Sequence, residues 1–220
     1  MSDLIRKIFL DIEASVIEGE QPTFSSTQQF FDLYAQKEGR RDFLRQAKEM
    51  YKTNIVELAW GEYSPSSKSK PGFVSAHDRL FTHNPKRFTG EFWQRPEQVE
   101  LLKKAKLRGK HPAQGLLNFL ENVVAKVGQK GIITYVGSWN TAFDIPRVVY
   151  YAEMFARSSK TPQKTKEALN QALNQLQIGI RQRTIQSTGI EQQFQLFRLG
   201  VIKHGYQRYG AAFLAGFGAG

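Results

Sequence analysis

The chain has 220 residues, which is enough for one medium domain with a buried core. It carries 31 Lys and Arg against 20 Asp and Glu, a formal net charge of +11, which favours a polyanionic partner such as nucleic acid. A basic surface that only aids solubility is the alternative. Cysteine is absent, which excludes disulfides, thiolate catalysis and cysteine-ligated metal sites.

The first half of the sequence contains three strand-like segments. Residues 8–12 form a short apolar run interrupted by Asp11, which is typical of a buried strand. Residues 27–52 mix aromatic and charged positions. This pattern favours a helix or a segment inserted between the first two strands. Residues 55–63 predict a second strand, and a loop follows. A third strand begins at residues 73–75 and is expected to pair with the second as a hairpin.

The pattern becomes helical from residue 95 onward. After a break at Gly109 and Pro112, residues 116–124 show the three-and-four spacing of an amphipathic helix. Residues 132–136 predict another strand. A helix with Phe143 near its start follows, and Pro146 is expected to lie in its first turn. This order of elements predicts a mixed α/β sheet with helices on its faces.

The last third of the chain differs in composition. Residues 161–180 predict a helix rich in Gln, Asn and Lys, a second helix follows Gly189, and residues 210–220 are rich in Gly, Ala and Phe. Residues 145–220 hold ten Lys and Arg and three Glu, so +7 of the +11 lies there. We therefore expect an α/β core over residues 1–160 and a helical, basic C-terminal region over residues 161–220, packed on that core.

Two short acidic segments predict the chemistry. Asp11 and Glu13 are separated by one residue on a strand, so both side chains point to the same side of the sheet. Repulsion between two neighbouring carboxylates is relieved by a cation, for which Mg²⁺ is the natural candidate. If Asp144 enters the same site, three carboxylates converge, and metal-assisted cleavage of a phosphodiester becomes possible.

At these residues the sequence resembles the DEDD (DnaQ-like) superfamily of 3′–5′ exonucleases. The first family motif is a hydrophobic strand ending in Asp-x-Glu, as in residues 9–14, and the second reads roughly Asn-x-x-Phe-Asp, as in residues 140–144. The resemblance covers about residues 5–155. It implies an RNase H-like fold, a catalytic site in which Asp11, Glu13 and Asp144 bind Mg²⁺ or Mn²⁺, and a role for Asn140 in orienting the loop.

Each of these residues also has a structural explanation. Glu13 could be an ordinary charge at a strand end, and Asn140 a helix cap. Asp144 could be a first-turn acid favoured by the helix dipole. Asp11 is the hardest to explain in this way, because an unpaired charge inside an apolar run is costly.

The third family motif, His-x-x-x-x-Asp on a helix, is where the sequence departs from the pattern. His204 matches the histidine and would deprotonate the attacking water, although a surface histidine is the alternative. Tyr209 stands at the position of the last aspartate, and no aspartate follows Asp144. The acids that remain to complete the site are Glu153, Glu167 and Glu191, and Glu153 is expected to face a different level of its helix.

Residues for nucleic-acid contact are suggested by composition and by the second motif. Several of these charges could simply be solvated, whereas the pairs Phe30-Phe31 and Tyr150-Tyr151 are expected in the core. The candidates for phosphate binding are Arg40, Arg41, Lys103, Lys104, Lys106, Arg108, Lys110, Arg181 and Arg183, and those for contacts with bases are Phe92, Trp93, Trp139, Asn140 and Tyr206.

The sequence thus predicts a metal-dependent 3′–5′ exonuclease acting on single-stranded DNA or RNA. The alternatives are a catalytically impaired relative that binds nucleic acid, or a protein partner through its C-terminal region, and a structural subunit of a nucleoprotein assembly. The first residues show no secretory signal, and no apolar run reaches the roughly 18 residues of a membrane span. We therefore expect an intracellular, cytoplasmic protein with no membrane partner.

Overall fold

A computed structural model describes residues 4–15, 23–47, 54–64, 72–138 and 141–187. Two short 3₁₀ turns, Pro85–Arg87 and Glu91–Gln94, precede the third helix. The strands and helices in chain order are β1 (Leu4–Ala14), α1 (Thr27–Tyr34), α2 (Gly39–Gln46), β2 (Ile55–Ser64), β3 (Gly72–Leu80), α3 (Pro96–Arg108), α4 (Pro112–Val124), β4 (Ile132–Ser138), α5 (Thr141–Arg157), α6 (Gln163–Arg181) and β5 (Ile185–Ser187).

The five strands form one mixed sheet in the order β3-β2-β1-β4-β5. β1 pairs with β2, and β2 with β3, in antiparallel fashion. β1 and β4 are parallel, as are β4 and β5. The prediction of an α/β fold with a mixed sheet flanked by helices is confirmed at this level. The central strand is β1, which carries the first acidic segment.

One face of the sheet packs against helices and forms the main core. Ile8, Leu10 and Ile12 of β1 point to this helix-packed face, where Ile8 and Leu10 are fully buried. Helices α1, α2, α4, α5 and α6 contribute apolar side chains to the same cluster. The three-and-four spacing in the sequence of α4 is explained by this packing, because its buried side chains lie on one side of the helix.

The segment predicted as a helix or excursion over residues 27–52 contains two short helices. α1 begins after Ser26, whose hydroxyl accepts a hydrogen bond from the backbone N–H of Gln29 and caps the helix. An aromatic cluster of Phe24, Phe30, Tyr34 and Phe43 joins α1 and α2 to the core. α1 and α2 are therefore part of the core, and Phe30 and Phe31 are buried as predicted.

The β2–β3 hairpin is confirmed, but β3 is longer than the residues 73–75 from which it was predicted, since it continues to Leu80. A second, smaller apolar cluster lies beyond the hairpin, where α3 packs. Trp93 is buried in it, with its ring 4.6 Å from that of Phe88. The expectation that Trp93 stacks on nucleic-acid bases is therefore wrong, whereas Phe92 beside it is 41% exposed.

The last described elements extend the same sheet and core. α5 starts at Thr141, so Pro146 lies inside the helix rather than in its first turn, and the carbonyl of Ala142 loses its usual intrahelical N–H donor. α6 packs on α4 and α5, and β5 pairs with β4. The helix predicted after Gly189 and the Gly/Ala/Phe-rich segment lie outside the described residues. None of the helices in the described ranges combines the length and apolar character needed to span a membrane.

Candidate functional site

Asp11 and Glu13 lie on the face of the sheet opposite the main helix layer. The side chains on either side of them in the sequence, Leu10 and Ile12, are buried in the core, whereas Asp11 and Glu13 are both only partly buried. The alternation of side chains along β1 thus separates the acids from the apolar residues. The prediction that the two carboxylates share one side of the strand is confirmed.

Asp144 belongs to the first turn of α5, the helix that follows β4. β4 runs parallel to β1, with Ser138 opposite Leu10, so the carboxyl ends of both strands lie at the same edge of the sheet. α5 contacts both strands. Asp144 is only 5% exposed, and the fully buried Arg147 follows three residues later on the same helix. The second acidic segment therefore emerges next to the end of the strand that carries the first.

Two further carboxylates on this face were missed by sequence reasoning. Glu57 of β2 lies directly opposite Glu13, and Asp78 of β3 lies directly opposite Ala59, the next residue of β2 on that face. Directly opposed residues in antiparallel strands project to the same face. We call the surface defined by Asp11, Glu13, Glu57 and Asp78 the acidic face.

The acidic face changes the protonation equilibria of its members. Burial, together with the charge of Asp11, raises the pKa of Glu13 to about 7, and a hydrogen bond from Gln98 opposes this effect. Burial also raises the pKa of Glu57 to about 8, with further contributions from Asp78 and Glu13. Displaced carboxyl pKa values that arise from burial and mutual repulsion are frequent at functional sites.

A pocket of about 300 Å³ opens between the ends of the strands and α3. Its walls combine acids with apolar and amide groups. They include Glu13, Glu57, Asp78, Gln98, Leu80 and Leu101. The acid inside the apolar sequence of β2 was the available signal for Glu57, and it is the same signal that marked Asp11.

Glu153 does not complete the site, because its carboxylate is fully buried on the other side of the sheet. It accepts hydrogen bonds from Arg40 Nε at 2.5 Å, from the Tyr34 hydroxyl at 2.9 Å and from Arg157 at 3.2 Å. Arg40 therefore stabilises the helix layer, and its assignment to phosphate binding is wrong. Glu167 is exposed and accepts a hydrogen bond from Gln163.

Of the other predicted contact residues, Lys104 lines the pocket beside the acidic face, and several lie outside the described residues. Arg181 donates hydrogen bonds to the backbone carbonyls of Ala35 and Gln36, and Arg183 is an exposed residue in the left-handed region with φ of 58°. The exposed basic residues of α3 and the segment after it are Lys103, Lys104, Lys106, Arg108 and Lys110. The predicted positions outside the described residues are Trp139, Asn140, Glu191, His204, Tyr206 and Tyr209.

The donor chemistry of Asp11 and Glu13 suits a hard cation such as Mg²⁺ or Mn²⁺. Within the described ranges, no three His, Cys, Asp or Glu side chains form a group that could hold a metal ion. Magnesium sites often use only one or two carboxylates and complete their coordination with water and substrate phosphates. Asp11 and Glu13 fit a magnesium site of this kind, in which two carboxylates are supplemented by water and substrate phosphates.

Comparisons with protein-family models, with curated proteins and with solved structures find no match to this chain.

Proposed function

We propose that the chain is a metal-dependent 3′–5′ exonuclease with an RNase H-like fold, acting on single-stranded DNA or RNA. The observation that carries the proposal is the placement of the two acidic segments. Asp11 and Glu13 project together from the central strand, and the helix with Asp144 begins directly after the neighbouring parallel strand. The ends of β1 and β4, near Asp11, Glu13 and Asp144, lie at one edge of the sheet, and this arrangement supports the proposal.

The charge distribution supports a nucleic-acid substrate. The chain carries a net charge of +11, yet carboxylates crowd the acidic face. A polyanionic backbone would be repelled by these carboxylates unless a cation lay between them. A basic protein with a local acidic cluster is therefore suited to hold a phosphodiester through a metal ion.

Asp11 and Glu13 would hold the metal, with Asp144 beside them. The pKa of Glu13 is raised chiefly by burial and then by the charge of Asp11, and a cation bound between the two carboxylates would offset both effects. A bound Mg²⁺ or Mn²⁺ would supply an acidified water and stabilise charge on the phosphate. His204 as the base that deprotonates the attacking water stays a prediction outside the described residues.

The test is cleavage of single-stranded oligonucleotides labelled at the 5′ end, in the presence of Mg²⁺ or Mn²⁺ or of EDTA. Wild-type protein should give a ladder of products shortened from the 3′ end, and only with metal. Asp11→Asn should reduce the rate at least about 100-fold. Asp32→Asn, which removes an exposed acid on α1, should leave it unchanged.

Equal cleavage by wild type and Asp11→Asn would refute the proposal, because it would show a contaminating nuclease. A second candidate function is nucleic-acid binding without cleavage, which the exposed basic residues of α3 favour. It predicts no cleavage by any variant, together with binding that weakens steeply with salt and is independent of metal.

A further inference from the structure

Two segments without acidic residues meet beyond the β2–β3 hairpin. Residues 79–90 and residues 101–120 contain Lys, Arg and His but no Asp or Glu. The backbone N–H of Lys110 donates a hydrogen bond to the carbonyl of Leu80 at 2.9 Å, and the N–H of Thr82 donates to the carbonyl of Lys110 at 3.0 Å. The fold therefore brings the basic residues of both segments to one surface.

This surface lies on the side of α3 away from the acidic face. Lys104 lines the pocket, and Lys106 follows it by two residues, a turn of about 200° around the helix. Lys106 instead lies near His83, because burial and then the charge of Lys106 lower the pKa of that histidine. Lys103 precedes Lys106 by three residues and is its neighbour on the helix surface.

We call the surface formed by Lys86, Lys103, Lys106 and Lys110 around His83 the basic patch. All four lysines are exposed, and within the described ranges none of them pairs with a carboxylate. Four like charges without acidic neighbours create a positive potential that attracts anions.

A row of aromatic rings connects the basic patch to the exposed Phe92. The ring of His83 is 5.2 Å from that of Phe88, Phe88 is 4.6 Å from Trp93, and Trp93 is 5.1 Å from Phe92, so Phe92 lies within about 15 Å of His83. Phe88 and Trp93 are buried, which fixes the row, whereas Phe92 is 41% exposed. The guanidinium of Arg95 lies 5.2 Å from the centre of the Phe92 ring and adds positive charge there.

Lysines beside an exposed aromatic ring match the two parts of a single nucleic-acid strand. The lysines attract phosphates, and the ring offers a face on which an unpaired base can stack. A small anion uses only the charges, and a duplex keeps its bases stacked inside. An anionic membrane is a poorer match, since Leu107 is the exposed large apolar side chain that would join Phe92 in the bilayer, and interfacial binding needs a broader apolar surface.

We propose that the basic patch and Phe92 bind single-stranded nucleic acid without a metal ion. The lysines hold phosphates of the strand, and a base stacks on Phe92. The inference rests on the nucleic-acid substrate of the proposed function, but it requires neither the metal nor cleavage. It places strand binding on residues that belong to neither sequence motif, and it adds Lys86 to the contact residues.

The experiment is fluorescence anisotropy in EDTA with a labelled oligothymidylate of about ten nucleotides. Wild-type protein should bind it with a dissociation constant of about 1–100 μM at about 0.1 M salt. The double variant Lys106→Gln, Lys110→Gln should bind at least about tenfold more weakly. Its plot of log affinity against log salt concentration should be less steep by about 1.4, because each phosphate contact of a single strand contributes about 0.7.

The matched control is the double variant Lys160→Gln, Lys164→Gln, which removes the same charge from exposed positions around the start of α6. It should change the affinity less than about threefold and leave the salt dependence unaltered, because distant exposed charges are largely screened. Circular dichroism checks that all variants fold.

The contribution of Phe92 is tested with two strands of equal length, one with thymine bases and one with abasic sites only. Phe92→Ala should weaken binding of the thymine strand at least about fivefold, because base stacking is lost. It should weaken binding of the abasic strand less than about twofold, since that strand has no base to stack. Leu107→Ala is the apolar control, because Leu107 is 82% exposed next to Lys106, and it should leave both affinities within about twofold.

The proposal is overturned if the Lys106, Lys110 variant binds as well as the Lys160, Lys164 variant, or if Phe92→Ala weakens binding of both strands equally. It is also overturned if vesicles containing phosphatidylserine bind the protein and the oligonucleotides do not, which would assign the patch to a membrane surface. Cleavage with metal but no effect of the patch variants on binding would leave the nuclease proposal standing. Strand binding through the patch without any cleavage would refute the nuclease proposal alone.

Discussion

The two faces of the sheet shift carboxyl pKa values in opposite directions, as two glutamates of β2 show. On the helix-packed face, Glu62 receives two hydrogen bonds from the guanidinium of Arg6, at 2.8 and 2.5 Å. These bonds lower its pKa. On the acidic face, Glu57 is close to Asp78 and Glu13, and its pKa is raised to about 8, chiefly by burial. One strand therefore holds a paired acid and a crowded acid on opposite sides.

This contrast indicates which residues serve stability and which serve function. Arg6 also donates to the backbone carbonyl of Asn122, so the Arg6–Glu62 pair joins β1, β2 and α4. Glu13 on the acidic face accepts a hydrogen bond from Gln98 of α3, but burial and neighbouring charges still raise the pKa values of Glu13 and Glu57, so keeping both ionised costs folding free energy. Residues that destabilise the fold in such a cluster are candidates for binding or catalysis.

The largest expected effect is on the helix-packed side, at the buried Glu153. Glu153→Leu leaves Arg40 without its carboxylate partner, and it should lower the free energy of unfolding by about 3–5 kcal/mol. Urea denaturation followed by circular dichroism measures the change. Arg40→Met combined with Glu153→Leu should recover more than half of the loss.

Glu167→Leu serves as the control for this comparison, because Glu167 is exposed on α6. Its effect should stay within about 0.5 kcal/mol. Similar losses for Glu153→Leu and Glu167→Leu would show that the ion pair with Arg40 does not contribute as the structure indicates.

Apolar residues on the two sides of β1 should also differ in how much they contribute to the free energy of unfolding, with the larger contribution on the helix-packed face. Leu10 is fully buried on the helix-packed face, whereas Ile5, on the opposite side of the strand, is 46% exposed. Leu10→Ala should cost about 2–5 kcal/mol, and Ile5→Ala less than about 1 kcal/mol. The measurement is the urea midpoint of each variant. Comparable losses would mean that Ile5 is covered in solution.

The helix-packed face was largely predictable from the sequence, because its determinants are local. Apolar periodicity identified β1, β2, β4, the start of β3 and the amphipathic α4, whereas the three-residue β5 was not predicted. On the opposite face, Asp-x-Glu spacing correctly predicted that Asp11 and Glu13 share one side of β1. The order of the elements then gave the mixed α/β sheet, which needed no information beyond segment types.

The pocket could not be predicted, because it depends on pairing register and on packing between distant segments. Glu57 lies opposite Glu13 only through the alignment of β1 with β2. Asp78 belongs to a part of β3 beyond the short apolar start from which that strand was predicted. Gln98 reaches the site through the docking of α3, which leaves no signal in its own sequence.

Burial of Glu57, together with the charges of Asp78 and Glu13, predicts a stability that falls as pH rises. Glu57 binds its proton more tightly in the folded state, so its contribution is full below the unfolded pKa near 4.5 and is lost as pH rises through about 8. Glu57→Gln should therefore be more stable than wild type at pH 9, by about 1–2 kcal/mol. Urea denaturation at pH 5 and pH 9 tests this. No gain at pH 9 would contradict the raised pKa of Glu57.

The smallest expected effect concerns Glu62. Its contribution to stability changes with pH in the direction opposite to that of Glu57. Because Arg6 lowers its pKa, Glu62 stabilises the fold above the unfolded pKa near 4.5, and this contribution is lost as pH falls through the lower folded pKa. Part of the Glu62 side chain is exposed and screened by water, so Glu62→Gln should cost no more than about 1 kcal/mol at pH 7. The cost should vanish near pH 3. A cost that instead grows with acid would show that the two faces do not differ in how they hold their carboxylates.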